Sequence, residues 1–238
     1  MLKNGAERVR VVTHLHETTH DSRNVLAFIP GTDPRGEEIV VTAHYDSVPV
    51  GKGSWDNATG SATIMWLYKH FLENRPKRDM RFIWCGSEEQ GLLGARAFTE
   101  QRWEEVKKIK FCFNFDMCGT ILGANTLFVS GKDDLVHYAE AYCREVGYSA
   151  EVSKIIHSSD SAAFADKGIP AIGISRRTST AQIHTRHDTM YCLSEASLAQ
   201  TADFSIGIME RIINSVSLPV GLGMPDDLVE VLNKRFRG

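Results

Sequence analysis

The sequence contains no long hydrophobic run and carries little net charge. None of its apolar stretches approaches the roughly 20 residues that a transmembrane helix requires, and residues 1–5 do not have the pattern of a signal peptide. The formal net charge is -3 over 238 residues, which gives no electrostatic reason to bind nucleic acid or an anionic membrane. We therefore expect neither of them as a partner.

Cysteine is scarce and odd in number, and repeats are absent. Five cysteines lie mostly within apolar segments, which predicts buried free thiols: Cys85, Cys112, Cys118, Cys143 and Cys192. This usage favours a reducing compartment, and so the cytoplasm, while a trimmed fragment of a secreted protein would also fit. The sequence has no internal repeat or low-complexity segment, and its length favours a single domain over residues 1–238. It predicts no oligomeric state.

Strand-like runs alternate with helical ones along the chain. Short apolar or β-rich runs predict strands at residues 8–13, 24–30, 39–43, 81–86, 111–116, 126–130 and 171–175. Apolar residues at helical spacing predict helices at residues 58–72, 88–98, 135–146 and 196–213. The pattern indicates an α/β sandwich around a mostly parallel sheet, with its opening strands paired as a hairpin. A final helix places Leu228, Val231, Leu232 and Phe236 on one face, which we expect to pack on its own domain.

One motif must be set aside. Residues 16–20 (HETTH) match the H-E-x-x-H zinc motif, which works only when a helix puts both histidines on one face. Here an alternating β run precedes the motif and two β-branched threonines fill it. We therefore interpret it as a solvated end of a β-hairpin.

Carboxylates and imidazoles recur in five short segments beside predicted strands. His44 follows an apolar strand, and Asp46 could accept its second ring N–H, as partners of metal-bound histidines do. Asp56 lies in WDNATG at a loop-to-helix junction, where an N-cap is the ordinary interpretation. Taken singly, neither segment is specific.

The remaining segments complete a set that suits two metal ions. Glu88 and Glu89 follow one buried strand and Asp116 closes another, at the strand ends where open α/β sheets bind ligands. A late imidazole, His184, follows in IHTRHDT. Three carboxylates against two Zn²⁺ leave a single positive charge, which a bridging hydroxide would neutralise. Zinc prefers nitrogen and oxygen ligands of this kind, although cobalt or manganese would accept the same set.

Six segments together resemble the aminopeptidase S and aminopeptidase Y family of zinc metallopeptidases, which includes leucyl aminopeptidases, glutamate carboxypeptidases and glutaminyl cyclases. They are AHYDSV (43–48), WDNATG (55–60), GSEEQGLLGA (86–95), NFDMCG (114–119), SDSAAFADKGIPAIGI (159–174) and IHTRHDT (183–189). The resemblance covers roughly residues 24–215. It implies a three-layer α/β/α sandwich on a mixed, mostly parallel sheet of about eight strands, without a protease-associated insert.

The resemblance also implies a role for each residue. Asp56 would bridge two zinc ions, with His44 and Asp116 completing one site and Glu89 and His184 the other. Glu88 would be the general base that takes a proton from the water between the metals and so forms the bridging hydroxide. Asp46 would orient His44, and Asp188 would be a neighbour of the ligands without binding metal itself. The peptide bond between Asp56 and Asn57 would be cis.

The sequence departs from the family where relatives often place a tyrosine that steadies the oxyanion. Ile183 and Ile156 occupy those positions, which leaves His157 as a candidate donor, against the alternative of an ordinary loop histidine. Side-chain preference is not predicted, because the pocket is built by loops such as residues 176–182.

These observations predict a di-zinc aminopeptidase that acts on peptides with a free N-terminus. Two alternatives keep the site: a carboxypeptidase, for which Arg176 and Arg177 could bind the substrate carboxylate, and a glutaminyl cyclase. The intact DNATG segment and full ligand set argue against the cyclase. A third alternative is a catalytically silent binding module, but such relatives normally lose ligands and this chain has lost none.

Overall fold

The computed structural model describes residue 8, residues 10–178 and residues 182–238. Within these ranges the strands are β1 (Val25–Ile29), β2 (Glu38–His44), β3 (Asp79–Cys85), β4 (Ile109–Phe115), β5 (Ala124–Ser130), β6 (Ala150–Lys154) and β7 (Ala171–Arg177). The helices are α1 (Thr59–Glu73), α2 (Leu93–Gln101), α3 (Trp103–Val106), α4 (Asp133–Val146), α5 (Ser161–Ala165), α6 (Glu195–Ile213) and α7 (Asp226–Arg237). A short 3-10 helix spans Met190–Cys192.

The strands form one mixed sheet in the order β1-β3-β2-β4-β7-β5-β6. The β2–β3, β2–β4, β4–β7 and β5–β6 pairs are parallel, and the β1–β3 and β5–β7 pairs are antiparallel. The predicted fold class is therefore confirmed, with seven strands in place of about eight. The added strand β6 is a weakly apolar edge strand that the sequence pattern did not show.

The predicted opening hairpin is wrong. Both edges of β2 are occupied, by β3 and β4, so β1 pairs antiparallel with the outer edge of β3. Residues 10–13 are exposed and outside any strand, since an alternating pattern without a partner strand is not stable alone; residue 9 of that prediction lies outside the described residues.

Successive residues of the central strands face opposite sides of the sheet and bury different helices, which produces the three layers. Ile39 and Val41 pack with α1, α4 and α6 in the larger core, whereas Val40 packs with α2, α3 and α5. Helix α7 covers α5 through Leu228 and Leu232. Val231, predicted on the same face of α7, is 45% exposed, because the stripe of α7 that packs against α5 is narrower than the predicted face.

The parallel strands deliver the candidate residues to one edge of the sheet. In register, His44 lies opposite Cys85 of β3, and Thr42 lies opposite Asn114 of β4. The loops that leave these strands carry Asp46, Glu88, Glu89 and Asp116. Because the carboxyl ends of parallel strands meet at the same edge, residues far apart in the sequence become neighbours.

Candidate metal centre

His44 lies at the centre of the cluster and is almost completely buried. Its Nε2 atom is 3.1 Å from Oδ1 of Asp56 and 3.4 Å from Oδ1 of Asp116. Burial lowers the pKa of His44, but the nearby carboxylates of Asp116, Asp46 and Asp56 outweigh this effect and raise the pKa well above its usual value. One imidazole thus faces two carboxylates in a dry environment.

Asp56 is fixed by the residues that follow it in the WDNATG segment. The Asn57 side chain donates to the carbonyl of Phe115 at 2.9 Å, and its Oδ1 atom accepts from the N–H of Met117 at 3.2 Å. Thr59 Oγ1 accepts from the N–H of Cys118 at 2.9 Å. These bonds attach the turn that carries Asp56 to the end of β4, so the segment joins Asp56 and Asp116 as one rigid unit.

Gly60 is required by the same close approach. A Cβ atom at this position would lie 2.3 Å from the carbonyl oxygen of Phe115 and 2.4 Å from Oδ1 of Asn57. The start of α1 can therefore pack against the end of β4 only with glycine here. The peptide bond between Asp56 and Asn57 is cis, as the sequence comparison implied.

Asp188 supports Asp56 from the opposite side. Its carboxylate accepts the backbone N–H of Trp55 at 2.6 Å and that of Asp56 at 3.0 Å. Asp188 is itself buried, so these are shielded, charge-assisted hydrogen bonds. The late loop that carries His184 is in this way tied to the turn that carries Asp56.

Asp46 holds the loop of the two glutamates. Its carboxylate accepts the N–H of Glu88 at 2.9 Å and that of Glu89 at 3.2 Å. Nδ1 of His44 lies 3.1 Å from the backbone oxygen of Asp46 and 3.6 Å from its carboxylate. The closer acceptor for the ring N–H is thus the backbone oxygen of Asp46, while its side chain positions Glu88 and Glu89.

A second group of donors surrounds the other oxygen of Asp56. Nε2 of His184 lies 3.1 Å from Oδ2 of Asp56 and 2.9 Å from Oε2 of Glu89. The His184 side chain is 51% exposed, in contrast to the 1% of His44. One carboxylate oxygen of Asp56 therefore faces the buried His44, and the other faces the half-exposed His184.

The donors fit metal ions. Two groups, each with ligand atoms within 4.8 Å of one another, consist of His44, Asp56 and Asp116, and of Asp56, Glu89 and His184. Three buried atoms among them have no hydrogen-bond partner: Nε2 of His44, Oε1 of Glu89 and Oδ1 of Asp116. Because a buried polar atom without a partner costs about 1–3 kcal/mol, a cation that binds these atoms would relieve that cost.

The loops around the cluster hold unusual backbone conformations. Four non-glycine residues among those described have positive φ angles, and each is a donor or lies within three residues of one: Ser87 (56°), Leu92 (61°), Met117 (57°) and His184 (57°). Such conformations cost of order 1–3 kcal/mol each and cluster at functional sites. Their coincidence with the donor loops is independent support for a functional site here.

Glu88 faces the cluster without belonging to either donor group. Burial raises its pKa to about 8, supported by the negative charges of Asp160, Asp116 and Glu89. Asp160, which sequence reasoning missed, is buried with neither oxygen hydrogen-bonded, and burial raises its pKa to about 7. Its only sequence signal was the resemblance of SDSAAF to the family segment.

The cluster opens into a cavity of about 440 Å³. Its walls include Glu88, His157, Ile183 and, from the last helix, Arg235. The ring of His157 stacks on Phe128 with centroids 3.9 Å apart, and burial lowers its pKa, which favours a neutral imidazole.

The two arginines proposed from the sequence lie elsewhere. Arg176 donates to the carbonyl of Thr120 at 2.8 Å and to Oδ1 of Asn125 at 2.7 Å, and Arg177 is exposed. Neither lines the cavity; residues 179–181 of the same loop lie outside the described residues. The HETTH segment at 16–20 is exposed and not helical, as expected, but it does not end a β-hairpin, because residues 10–24 form no strand.

Comparison with known proteins identifies the family. The sequence model of the family described as Peptidase family M28 matches residues 24–209, which is more than half of the chain. Aminopeptidase YwaD of Bacillus subtilis is 29% identical over 85% of this chain and 47% of its own length. A vacuolar membrane protease of Eremothecium gossypii is 33% identical over 53% of this chain and 12% of its own length.

Solved structures show the same fold. BSAP, described as a zinc aminopeptidase from Bacillus subtilis, superposes with a TM-score of 0.72 and 24% identity over 86% of this chain and 53% of its own. An aminopeptidase from Aneurinibacillus sp. strain AM-1 gives a TM-score of 0.74 and 24% identity over 83% of this chain and 50% of its own. The chain thus spans at most about half the length of these relatives. Within the described ranges, no helix has the length and apolar character needed to cross a membrane.

Proposed function

Because this chain belongs to peptidase family M28, we propose that it is a zinc-dependent metallopeptidase that carries two metal ions and removes N-terminal residues from peptides. One observation carries the proposal above the others: two groups of three donors share the two oxygens of Asp56. Five ligands suffice for two sites only if one is shared. A binding module without activity would not be expected to keep all five together with Glu88.

We assign the ligands by their positions around Asp56. His44 and Asp116 would hold one zinc ion with Oδ1 of Asp56, and Glu89 and His184 would hold the other with Oδ2. Cobalt or manganese would suit the same nitrogen and oxygen donors. When bound, two such ions polarise the scissile carbonyl and lower the pKa of a shared water.

The chain's own residues supply the proton transfer and the positioning. Glu88 accepts the proton of the attacking water and returns it to the leaving amine, for which its position beside but outside the donor groups is suitable. Asp46 holds the Glu88 backbone, and Asp188 holds that of Asp56. His157, neutral and on the cavity wall, is our candidate for the donor that stabilises the oxyanion.

The preference for the N-terminus follows from the charge of the cleft. A free α-ammonium needs acceptors, and Glu88 and Asp116 are the carboxylates on the cavity wall best placed to accept from it. An acetylated N-terminus would leave these acceptors unpaired, which costs about 1–3 kcal/mol for a neutral group and more for a charged one. The name of the relative from Bacillus subtilis, aminopeptidase YwaD, agrees with this direction of attack.

A panel of six-residue peptides tests the proposal. We expect the zinc-loaded protein to cleave the peptide with free ends, to leave the acetylated one intact, and to cleave the C-terminally amidated one at nearly the same rate, since that end of a hexapeptide extends beyond the cleft. If amidation stops cleavage and acetylation does not, the protein is a carboxypeptidase. If no peptide is cleaved by protein with full metal content, the peptidase proposal is wrong.

A further inference from the structure

Helix α7 contributes one residue, Arg235, to the wall of the cavity, although the helix lies outside the residues that match the family model. Leu228 and Leu232 pack in one cluster with Leu92 and Ile156. Leu92 follows the loop of the two glutamates, and Ile156 precedes His157. The helix therefore rests on the same two loops that present Glu88 and His157 to the cavity.

This packing brings Arg235 to the cavity. The side chain lines it together with Glu88, His157 and Ser158, and one of its N–H groups donates to Oγ of Ser158 at 2.6 Å. Partial burial lowers the pKa of Arg235, and the nearby charge of Glu88 opposes that decrease. Arginine stays charged under all ordinary conditions, so the cavity that Glu88 lines also has a permanent cation on its wall.

The neighbouring arginine of the helix is different. Arg237 binds Asp166 at 2.7 Å and does not line the cavity. Arg235 forms no ion pair with any residue in the described ranges, and its bond to Ser158 uses only one of its five N–H donors. Arg235 as a whole residue is exposed and lines the open cavity, so a ligand in the cavity can reach it. It is the one lysine or arginine among the described residues that line this cavity.

We propose that Arg235 is an anion-binding residue that recognises a carboxylate of the peptide substrate close to the scissile bond. The guanidinium can bind a carboxylate through two parallel N–H···O bonds, which gives orientation as well as affinity. Two groups on a peptide offer this chemistry there: the α-carboxylate of a dipeptide, or an acidic side chain in the residue after the scissile bond. The inference rests on the proposed peptidase function, because it names the substrate class of the same cleft.

Four dipeptide substrates separate the two sources of the carboxylate: Leu-Ala, Leu-Ala-amide, Leu-Glu-amide and Leu-Gln-amide. In one of the two acid–amide pairs, we expect kcat/KM to favour the peptide with the carboxylate by about fivefold, which is the upper end of the range for a partly exposed ion pair. In Arg235→Gln this preference should fall to near one. Arg235→Lys keeps the charge without the fork and should retain part of it, while the matched control Arg237→Gln should keep it fully.

A binding measurement separates this inference from the peptidase proposal. Calorimetric titration of the same peptides into zinc-loaded Glu88→Gln protein, with and without Arg235→Gln, reports recognition without turnover. Equal affinity for acids and amides, or an equal loss for both in Arg235→Gln, would overturn the inference. If wild-type protein cleaves none of the peptides but Arg235 still sets the ratio of dissociation constants, the anion site stands and the peptidase proposal fails.

Discussion

The two donor groups around Asp56 are built in different ways. The group with His44 and Asp116 comes from the ends of β2 and β4, and its side chains are 1% and 7% exposed. The group with Glu89 and His184 comes from loops, and the His184 side chain is 51% exposed. The difference in exposure between the groups lies in their histidines, because the Glu89 side chain is only 6% exposed.

The two groups differ in how firmly the protein holds their donors in place before a metal ion binds. Strand register and the hydrogen bonds of Asn57 and Thr59 fix the buried group before any ligand arrives. The open group depends on the loop of His184, which Asp188 ties to the turn of Asp56. We therefore expect a tightly held metal in the buried group and a more exchangeable one in the open group, with Asp56 as the link between them.

Replacing Asp56, which belongs to both donor groups, should have the largest effect on metal binding and activity. In Asp56→Ala both groups lose a ligand, so we expect loss of both metal ions and of all peptide cleavage. Metal content per chain, measured by atomic emission after gel filtration, checks this prediction. Asp33→Ala, which removes a carboxylate paired only with Arg35 at the surface, is the control and should keep both ions; one ion retained in Asp56→Ala would show that Asp56 is not shared.

The next largest effect separates catalysis from metal binding. Glu88→Gln should keep both ions and lower kcat by about 10²–10⁴-fold, the usual contribution of a general base. Its neighbour provides the matched variant, because Glu89→Gln should lose the metal of the open group. Equal metal loss in the two variants would mean that their roles are misassigned.

An intermediate effect is expected from the support behind Asp56. Asp188→Asn keeps one acceptor oxygen but turns an amide toward the second of the two N–H groups that the carboxylate now binds. Loss of such support typically weakens metal affinity by about 10–100-fold. Zinc affinity from competition with a chelator tests this, and an unchanged affinity would mean that the turn is held by Asn57 and Thr59 alone.

The smallest effect concerns the order of metal release in the unmodified protein. We expect a chelator to remove zinc in two phases, with the open group emptied about tenfold faster than the buried one, in line with the range of support effects on metal sites. His184→Ala should abolish only the fast phase. A single phase for both ions would contradict the distinction between the two groups.

The part of the centre that follows from buried strands was accessible from the sequence. The apolar runs that end in His44 and Asp116 can each be recognised from the sequence alone, and parallel pairing places the carboxyl ends of such strands at the same edge of the sheet. The sheet's outer pairing was not accessible, since β1 could pair with β3 only because both edges of β2 were taken. That outcome depends on the whole sheet and not on the local pattern.

Contacts between distant loops were also out of reach. The hydrogen bonds of Asp188 to the backbone at Trp55 and Asp56 join segments more than 130 residues apart, and no spacing rule predicts them. Arg235 gives no signal because a charged residue on an amphipathic helix is ordinary. Its place in the cleft follows from the packing of α7 on Leu92 and Ile156.

Stepwise loading of metal-free protein with zinc tests the shared centre most directly. Activity against a peptide with a free N-terminus is measured after each addition, together with bound zinc per chain. The shared arrangement predicts that activity rises until two ions are bound per chain. Full activity reached at one bound zinc per chain would contradict it.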